Sequence, residues 1–72
     1  MDRVTGYWND TALMAAVNYN YRGVVTVMLD NGADPNIQDG DGWTAMDWAI
    51  YYNYRRIAKI LKSYGGVEGM FL

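Results

Sequence analysis

Thr11-Ala12-Leu13-Met14-Ala15-Ala16 returns 33 positions later as Thr44-Ala45-Met46-Asp47-Trp48-Ala49. At the same offset Tyr19-Asn20-Tyr21-Arg22 recurs as Tyr52-Asn53-Tyr54-Arg55, and Gly32 recurs as Gly65. Conservative pairs fill the intervals: Val17 with Ile50, Val24 with Ile57, Val27 with Ile60, Met28 with Leu61. The register holds without an insertion. A fixed period of this size marks a stacked-repeat protein, in which each unit buries its apolar face against its neighbour. Such an architecture points to holding partners rather than to catalysis.

Within one unit, Thr11 precedes Leu13, Ala16 and Val17, a spacing that predicts a short helix with one buried stripe. Thr is a good N-cap, because its hydroxyl accepts from an unpaired amide of the first turn. In the second copy Asp47 follows Thr44 at the spacing of a capping box. Asn20 and Asn53 stop the first helix of each copy, since Asn tolerates the left-handed conformation. A second amphipathic segment follows, with Val24, Val25, Val27, Met28 and Leu29 in one copy and Ile57, Ala58, Ile60 and Leu61 in the other. Gly32 and Gly65 sit where a helix C-terminus wants positive φ. Ala33-Asp34-Pro35-Asn36-Ile37-Gln38-Asp39-Gly40-Asp41-Gly42 then reads as an extended arm with a tight turn. The unit is helix, turn, helix and a projecting hairpin-like loop, and the fold class is all-α.

This pattern resembles the ankyrin repeat, which shares the period. The family's G-x-T-P-L-H-x-A-A is matched by Gly42-Trp43-Thr44-Ala45-Met46-Asp47-Trp48-Ala49-Ile50, and its G-A-D-x-N-x-x-D by Gly32-Ala33-Asp34-Pro35-Asn36-Ile37-Gln38-Asp39. The likeness covers roughly residues 6–66. The family's Pro is replaced by Ala12 and Ala45, and its His by Met14 and Asp47. In the family that His braces the turn through hydrogen bonds, a role open to Asp47 but closed to Met14. The first repeat is therefore expected to be the looser one. Residues 1–72 form a single domain, with repeat 1 at about 9–41, repeat 2 at about 42–66 and a tail at 67–72.

Two repeats are fewer than the three or so that a stack normally needs. At the C-terminal end Leu29 becomes Lys62, and Asp30-Asn31 becomes Ser63-Tyr64, the substitutions expected of a terminal cap. Val67-Glu68-Gly69 lacks the Asp-x-Asn arm, so no further repeat is expected after it. Met70-Phe71-Leu72 either folds back over the last face, frays, or docks elsewhere; folding back is favoured. At the N-terminal end Val17, Val24 and Val25 are expected beside an uncovered face. Tyr7 and Trp8 cover part of it, or another molecule does: a target protein or, in a homodimer, a second copy.

The resemblance implies that contacts lie on the hairpin tips and the exposed side of the first helix, on the concave side of the stack. Those positions are Tyr7, Trp8, Asp10, Asn18 and Tyr19 in repeat 1, and Gln38, Gly40, Asp41, Trp43, Tyr51 and Tyr52 in repeat 2. Six of the eleven are Tyr or Trp, in a chain with seven Tyr and three Trp. Such rings give large contact area at low entropy cost, which is why recognition surfaces favour them. Asp10, Asp39 and Asp41 add a negative rim suited to a basic partner. Trp48 is assigned to the core, and Tyr21 and Tyr54 to packing between repeats.

Composition narrows the function class. The chain has no His and no Cys, the commonest proton carriers, nucleophiles and transition-metal ligands. Asp34-x-Asn36-x-Gln38 fails as a calcium loop, because Asp39 stands in the place of the required Gly and Ala45 in that of the bidentate Glu. Neither an enzyme nor a cofactor or metal is expected. Residues 1–50 carry seven Asp against Arg3 and Arg22, whereas residues 51–72 carry Arg55, Arg56, Lys59 and Lys62 against Glu68. Either half can steer a charged partner or serve as a solvated face. Nucleic-acid binding is disfavoured by the net charge of −2. No signal-peptide pattern or spanning segment is evident, and the expected location is cytoplasmic. The function expected is non-catalytic protein recognition, in the form of a small inhibitor of a larger protein; the alternative is a self-associating module.

Overall fold

Four helices end in the same way, and that shared ending sets the architecture. The computed structural model describes residues 10–72. Its elements are α1 (Asp10–Asn18), α2 (Arg22–Asp30), α3 (Ala45–Tyr51), α4 (Arg55–Ser63) and a final 3₁₀ turn, Gly69–Phe71. Past α1, the amide of Asn20 donates to the Val17 carbonyl and that of Tyr21 to the Ala16 carbonyl. The same pair of bonds recurs after α2, α3 and α4, centred on Gly32, Asn53 and Gly65. This is the Schellman closure, and its pivot must adopt positive φ. Asn20 and Asn53 both lie at φ 60°, Gly32 at 95° and Gly65 at 85°, as the sequence predicts.

Helix starts differ between the copies. Thr44 caps α3: its side chain accepts from the amide of Asp47, while Asp47 Oδ2 accepts from the amide of Thr44 at 2.8 Å. Helix α1 instead begins at Asp10, so Thr11 stands inside the first turn rather than capping it, a correction to the expectation. The reciprocal half of a capping box needs an acceptor three residues on, and Met14 offers none.

The helices pack two by two, α1 against α3 and α2 against α4 across the repeat junction. Leu13, Val17, Val25, Ile57 and Leu61 are sealed in a single core, with Ala16, Ala45 and Ala49 admitting close helix approach. Val17 and Val25 are thus buried, against the expectation of an uncovered face. Val24 is the member of that trio that stays exposed, joined by Val27. The valines split because Val17 and Val25 meet the second repeat, while Val24 and Val27 turn away from it. Tyr54 packs between the repeats, its hydroxyl donating to the Asn18 carbonyl at 3.2 Å. Tyr21 does not: it is exposed and leans on the ring of Tyr19. Beside α1 there is no earlier repeat among the described residues for it to enter.

The tail is anchored by its backbone rather than by its apolar side chains. Val67 donates its amide to Asn36 Oδ1 at 2.8 Å and its carbonyl accepts from the Thr44 hydroxyl at 2.7 Å. The amide of Gly69 donates to Asp47 Oδ2 at 2.8 Å. Asp47 therefore ties the start of α3 to the tail, a bracing role the sequence left open to it. Gly69 runs so close to Gly42 that an added Cβ would fall 2.0 Å from the Gly42 oxygen. Met70, Phe71 and Leu72 remain exposed, Met70 at 81%, so the expected apolar fold-back does not occur. Once the polar anchors hold residues 67–69, the 3₁₀ turn carries these side chains outward.

Candidate recognition surface

Five rings of the second repeat form one continuous run. Trp43 and Trp48 lie with centroids 4.7 Å apart, and Tyr51 stands edge-on to both, at 5.7 and 5.8 Å. Tyr52 meets Tyr51 edge-on at 5.0 Å, stacks near Trp48 at 6.0 Å and continues to Tyr54 at 5.3 Å. Trp48, Tyr51 and Tyr52 are neighbours because i, i+3 and i+4 positions share one helix face. Trp43 joins them from the loop just ahead of the cap. Tilted and edge-to-face pairs at these separations hold the rings relative to one another, each contributing about 0.5–1.5 kcal/mol beyond area burial. The result is a stiff platform whose outer members, Tyr51 and Tyr52, remain exposed.

Asp39 locks the loop end of this platform. Its Oδ1 accepts from the amides of Asp41 and Trp43, at 2.9 and 3.0 Å, and its Oδ2 accepts from the Trp48 indole N–H at 3.2 Å. The Trp43 amide, opposed by some desolvation and aided by the Asp41 amide and the Trp48 indole, holds the Asp39 carboxyl below its ordinary range. The carboxylate is thus fixed in its charged form. The Asp39 amide donates to the Trp43 carbonyl at 2.8 Å and the Gly42 amide to the Asp39 carbonyl at 2.9 Å, closing the tip where Gly42 sits at φ 83°. Asp41 projects from that tip, exposed.

The sequence-derived residues fall into distinct places. Trp43, Tyr51, Tyr52 and Asp41 cluster on or beside the platform. Tyr19 belongs to a separate pair with Tyr21, ring centroids 5.7 Å apart. Asn18 is half-buried, and its Oδ1 is buried without a hydrogen-bond partner. Tyr7 and Trp8 lie outside the described residues; Asp10 opens α1, but its side chain also lies outside them. Trp48, assigned to the core, in fact packs on the core with one part and completes the platform with the other. Sequence reasoning therefore missed Trp48 and the locking role of Asp39. The i, i+3, i+4 spacing of Trp48, Tyr51 and Tyr52 was the signal for the first; nothing local revealed the second. Among the described residues no group of three or more His, Cys, Asp or Glu is placed to hold a metal, and no helix is long and apolar enough to cross a membrane.

Comparison with known proteins identifies the architecture. A family model described as ankyrin repeats, three copies, matches residues 1–69. The chain is 35% identical over 60 residues to an ankyrin repeat protein of fowlpox virus, covering 82% of this chain and 8% of that protein. It is 40% identical over 57 residues to an ankyrin repeat protein of Rickettsia bellii, covering 78% of this chain and 24% of that one. Human NAD-capped RNA hydrolase NUDT12 is 35% identical over 63 residues, 86% of this chain but 14% of the hydrolase. The chain thus spans less than a quarter of the length of these curated relatives. No solved structure matches it significantly. Ankyrin repeats are in general protein–protein interaction modules and are typically non-catalytic. With four helices in the expected register and a family model matching residues 1–69, the chain belongs to the ankyrin repeat family.

Proposed function

We propose that this chain recognises a partner protein, without catalysis, through the aromatic platform of Trp43, Trp48, Tyr51 and Tyr52, with Asp41 at its rim. The observation that carries this reading is the unbroken run of ring contacts that presents two exposed tyrosines, Tyr51 and Tyr52, and is held at its loop end by Asp39. Rings fixed before binding lose little entropy on binding, and their faces attract cations. A Lys or Arg side chain set against Tyr51, with its charge near Asp41, fits that chemistry, so the partner surface is basic. Covering such a site on a larger protein would inhibit by occlusion. Tyr19, Asn18, Asp10, Tyr7 and Trp8 would extend the contact along the first repeat.

The test is a titration of the chain with short Arg- or Lys-bearing peptides, followed by tryptophan fluorescence. Tyr51→Ala is expected to weaken binding about tenfold or more, as loss of a hot-spot ring does, while leaving helicity intact. A Gln-for-Arg peptide that binds equally well would sink the reading.

One observation favours a second reading, self-association through repeat 1. Val24 is 45% exposed, whereas Ile57, its register partner, is fully buried against the neighbouring repeat. The outer side of α2 thus presents the surface that, one repeat later, is a packing surface. A second copy docking there would be disrupted by Val24→Asp, seen as halved molar mass in light scattering.

A further inference from the structure

The N-terminal ends of α2 and α4 lie side by side. Asn20, Arg22, Asn53, Tyr54, Arg55 and Arg56 line one small recess there. It opens onto a groove of about 790 Å³ between the two helices, bordered by Arg22, Arg56 and Lys59 and floored by Gly23, Thr26 and Ile60. Among the described residues none of Arg22, Arg56 and Lys59 meets a carboxylate, while Arg55 Nε donates only to Asn53 Oδ1, at 3.5 Å.

This arrangement opposes the usual rule for helix starts. The N-terminus of a helix carries partial positive charge and favours acidic side chains or a capping oxygen. Helix α3 obeys, with Thr44 and Asp47. Helices α2 and α4 have neither an acidic residue in the first turn nor a side-chain cap, and place Arg22, Arg55 and Arg56 there instead. Positive side chains and positive helix ends thus reinforce one another along one groove. A local rule broken twice at one place, with no compensating carboxylate among the described residues, marks a surface shaped for something outside the chain.

We propose that the α2–α4 groove binds an acidic segment of a partner protein, independently of the aromatic platform. Carboxylates of the segment pair with Arg22 and Arg56, whose planar guanidinium groups suit bidentate contact, and with Lys59. Apolar side chains between those carboxylates rest on Ile60 and the aliphatic stems of the cations. The groove is far larger than a small inorganic anion needs. Nucleic acid fits it less well: the one ring lining the groove or its recess, Tyr54, already stacks on Tyr52 and donates its hydroxyl to the Asn18 carbonyl, and the chain as a whole repels a long polyanion.

The test is fluorescence anisotropy with a short labelled peptide of alternating Glu and Leu. The controls are its Gln counterpart and a labelled single-stranded DNA oligomer, all titrated with the full chain. The acidic peptide is expected to bind, and to bind about tenfold more weakly when salt is raised from about 0.05 to about 0.3 M. The double variant Arg22→Gln/Arg56→Gln should weaken it by about tenfold or more, while Lys62→Gln, outside the groove, should leave it unchanged. The melting temperature of the double variant should equal or exceed that of the parent, because two cations leave positive helix ends. Equal binding of the Gln peptide, tighter binding of the DNA, or parent-like binding by the double variant would each overturn the proposal. So would a lowered melting temperature, which would make the arginines structural.

Discussion

The two repeats share one register, and bury Leu13 with Met46, Ala16 with Ala49 and Met28 with Leu61 alike, yet they part company at other equivalent positions. Val17 is fully buried and its counterpart Ile50 is 50% exposed; on the second helix Val24 is exposed and Ile57 fully buried. Leu29 is buried where Lys62 is exposed. The junction uses the C-terminal side of repeat 1 and the N-terminal side of repeat 2, and among the described residues the positions on the other side of each that stay exposed include Val24 and Ile50. In a stack, burial follows from having a neighbour, not from the side chain's own hydrophobicity. The exposed Val24, Val27 and Ile50 are therefore packing residues without a packing partner among the described residues, rather than ordinary surface.

The sharpest way to break this comparison is to truncate one register pair. Ile57→Ala is expected to cost about 2–5 kcal/mol in urea unfolding, from lost transfer energy and a cavity. Val24→Ala should stay within about 0.5 kcal/mol, as exposed substitutions do. Comparable losses at both sites would mean that the N-terminal side of α2 is covered after all.

A second contrast concerns helix starts. Asp47→Ala leaves the buried Thr44 amide without an acceptor and releases Gly69, and should cost about 2 kcal/mol. Met14→Asp, the reverse exchange in repeat 1, gives α1 the missing acceptor but buries a carboxylate, so no gain is expected. Amide exchange checks the underlying asymmetry: α1 amides should exchange faster than α3 amides in the parent chain.

Gly69→Ala tests the arm-to-tail contact alone. The added methyl cannot fit beside the Gly42 carbonyl, so the tail should lift, with a loss of about 1 kcal/mol and lost protection of the Val67 and Gly69 amides. Unchanged protection would show that the contact is not held in solution.

The smallest effect is in the acid limb. The folded Asp39 carboxyl is held below its ordinary range, so its stabilisation is present above the unfolded-state pKa of about 4 and is lost as pH falls through the lower folded value. Replacing Asp39 by Ala should flatten the loss of stability below about pH 4 relative to the parent, read by melting temperature through the acid range. Tyr64 shows the opposite case: its hydroxyl donates to Asp30, which raises the phenol above its ordinary range. That bond ties the ends of α2 and α4 together at neutral pH.

Much of this protein was legible in one line of sequence, because its elements close locally. Asn20, Gly32, Asn53 and Gly65 mark four helix ends through backbone geometry that depends on the pivot residue alone. Thr44 and Asp47 mark a helix start by spacing, and the period itself fixed which residues are equivalent. Part of the proposed recognition surface was legible for the same reason, since Tyr51 and Tyr52 lie on the exposed side of a helix whose phase the repeat sets.

Tertiary structure alone decided the rest. Where only one member of an equivalent pair is buried, which one depends on the side that meets a neighbour, and periodicity cannot distinguish Val24 from Ile57. That Trp48 belongs to the platform depends on Trp43 and Asp39 arriving from a loop whose path is set by distant hydrogen bonds. Likewise the apolar tail Met70-Phe71-Leu72 stands out in solvent because the polar anchors on Val67 and Gly69 take the chain there first. The sequence by itself determined the unit and its joints, which are local. Only the packed structure decided which surfaces remain for partners, because exposure depends on everything else in the molecule.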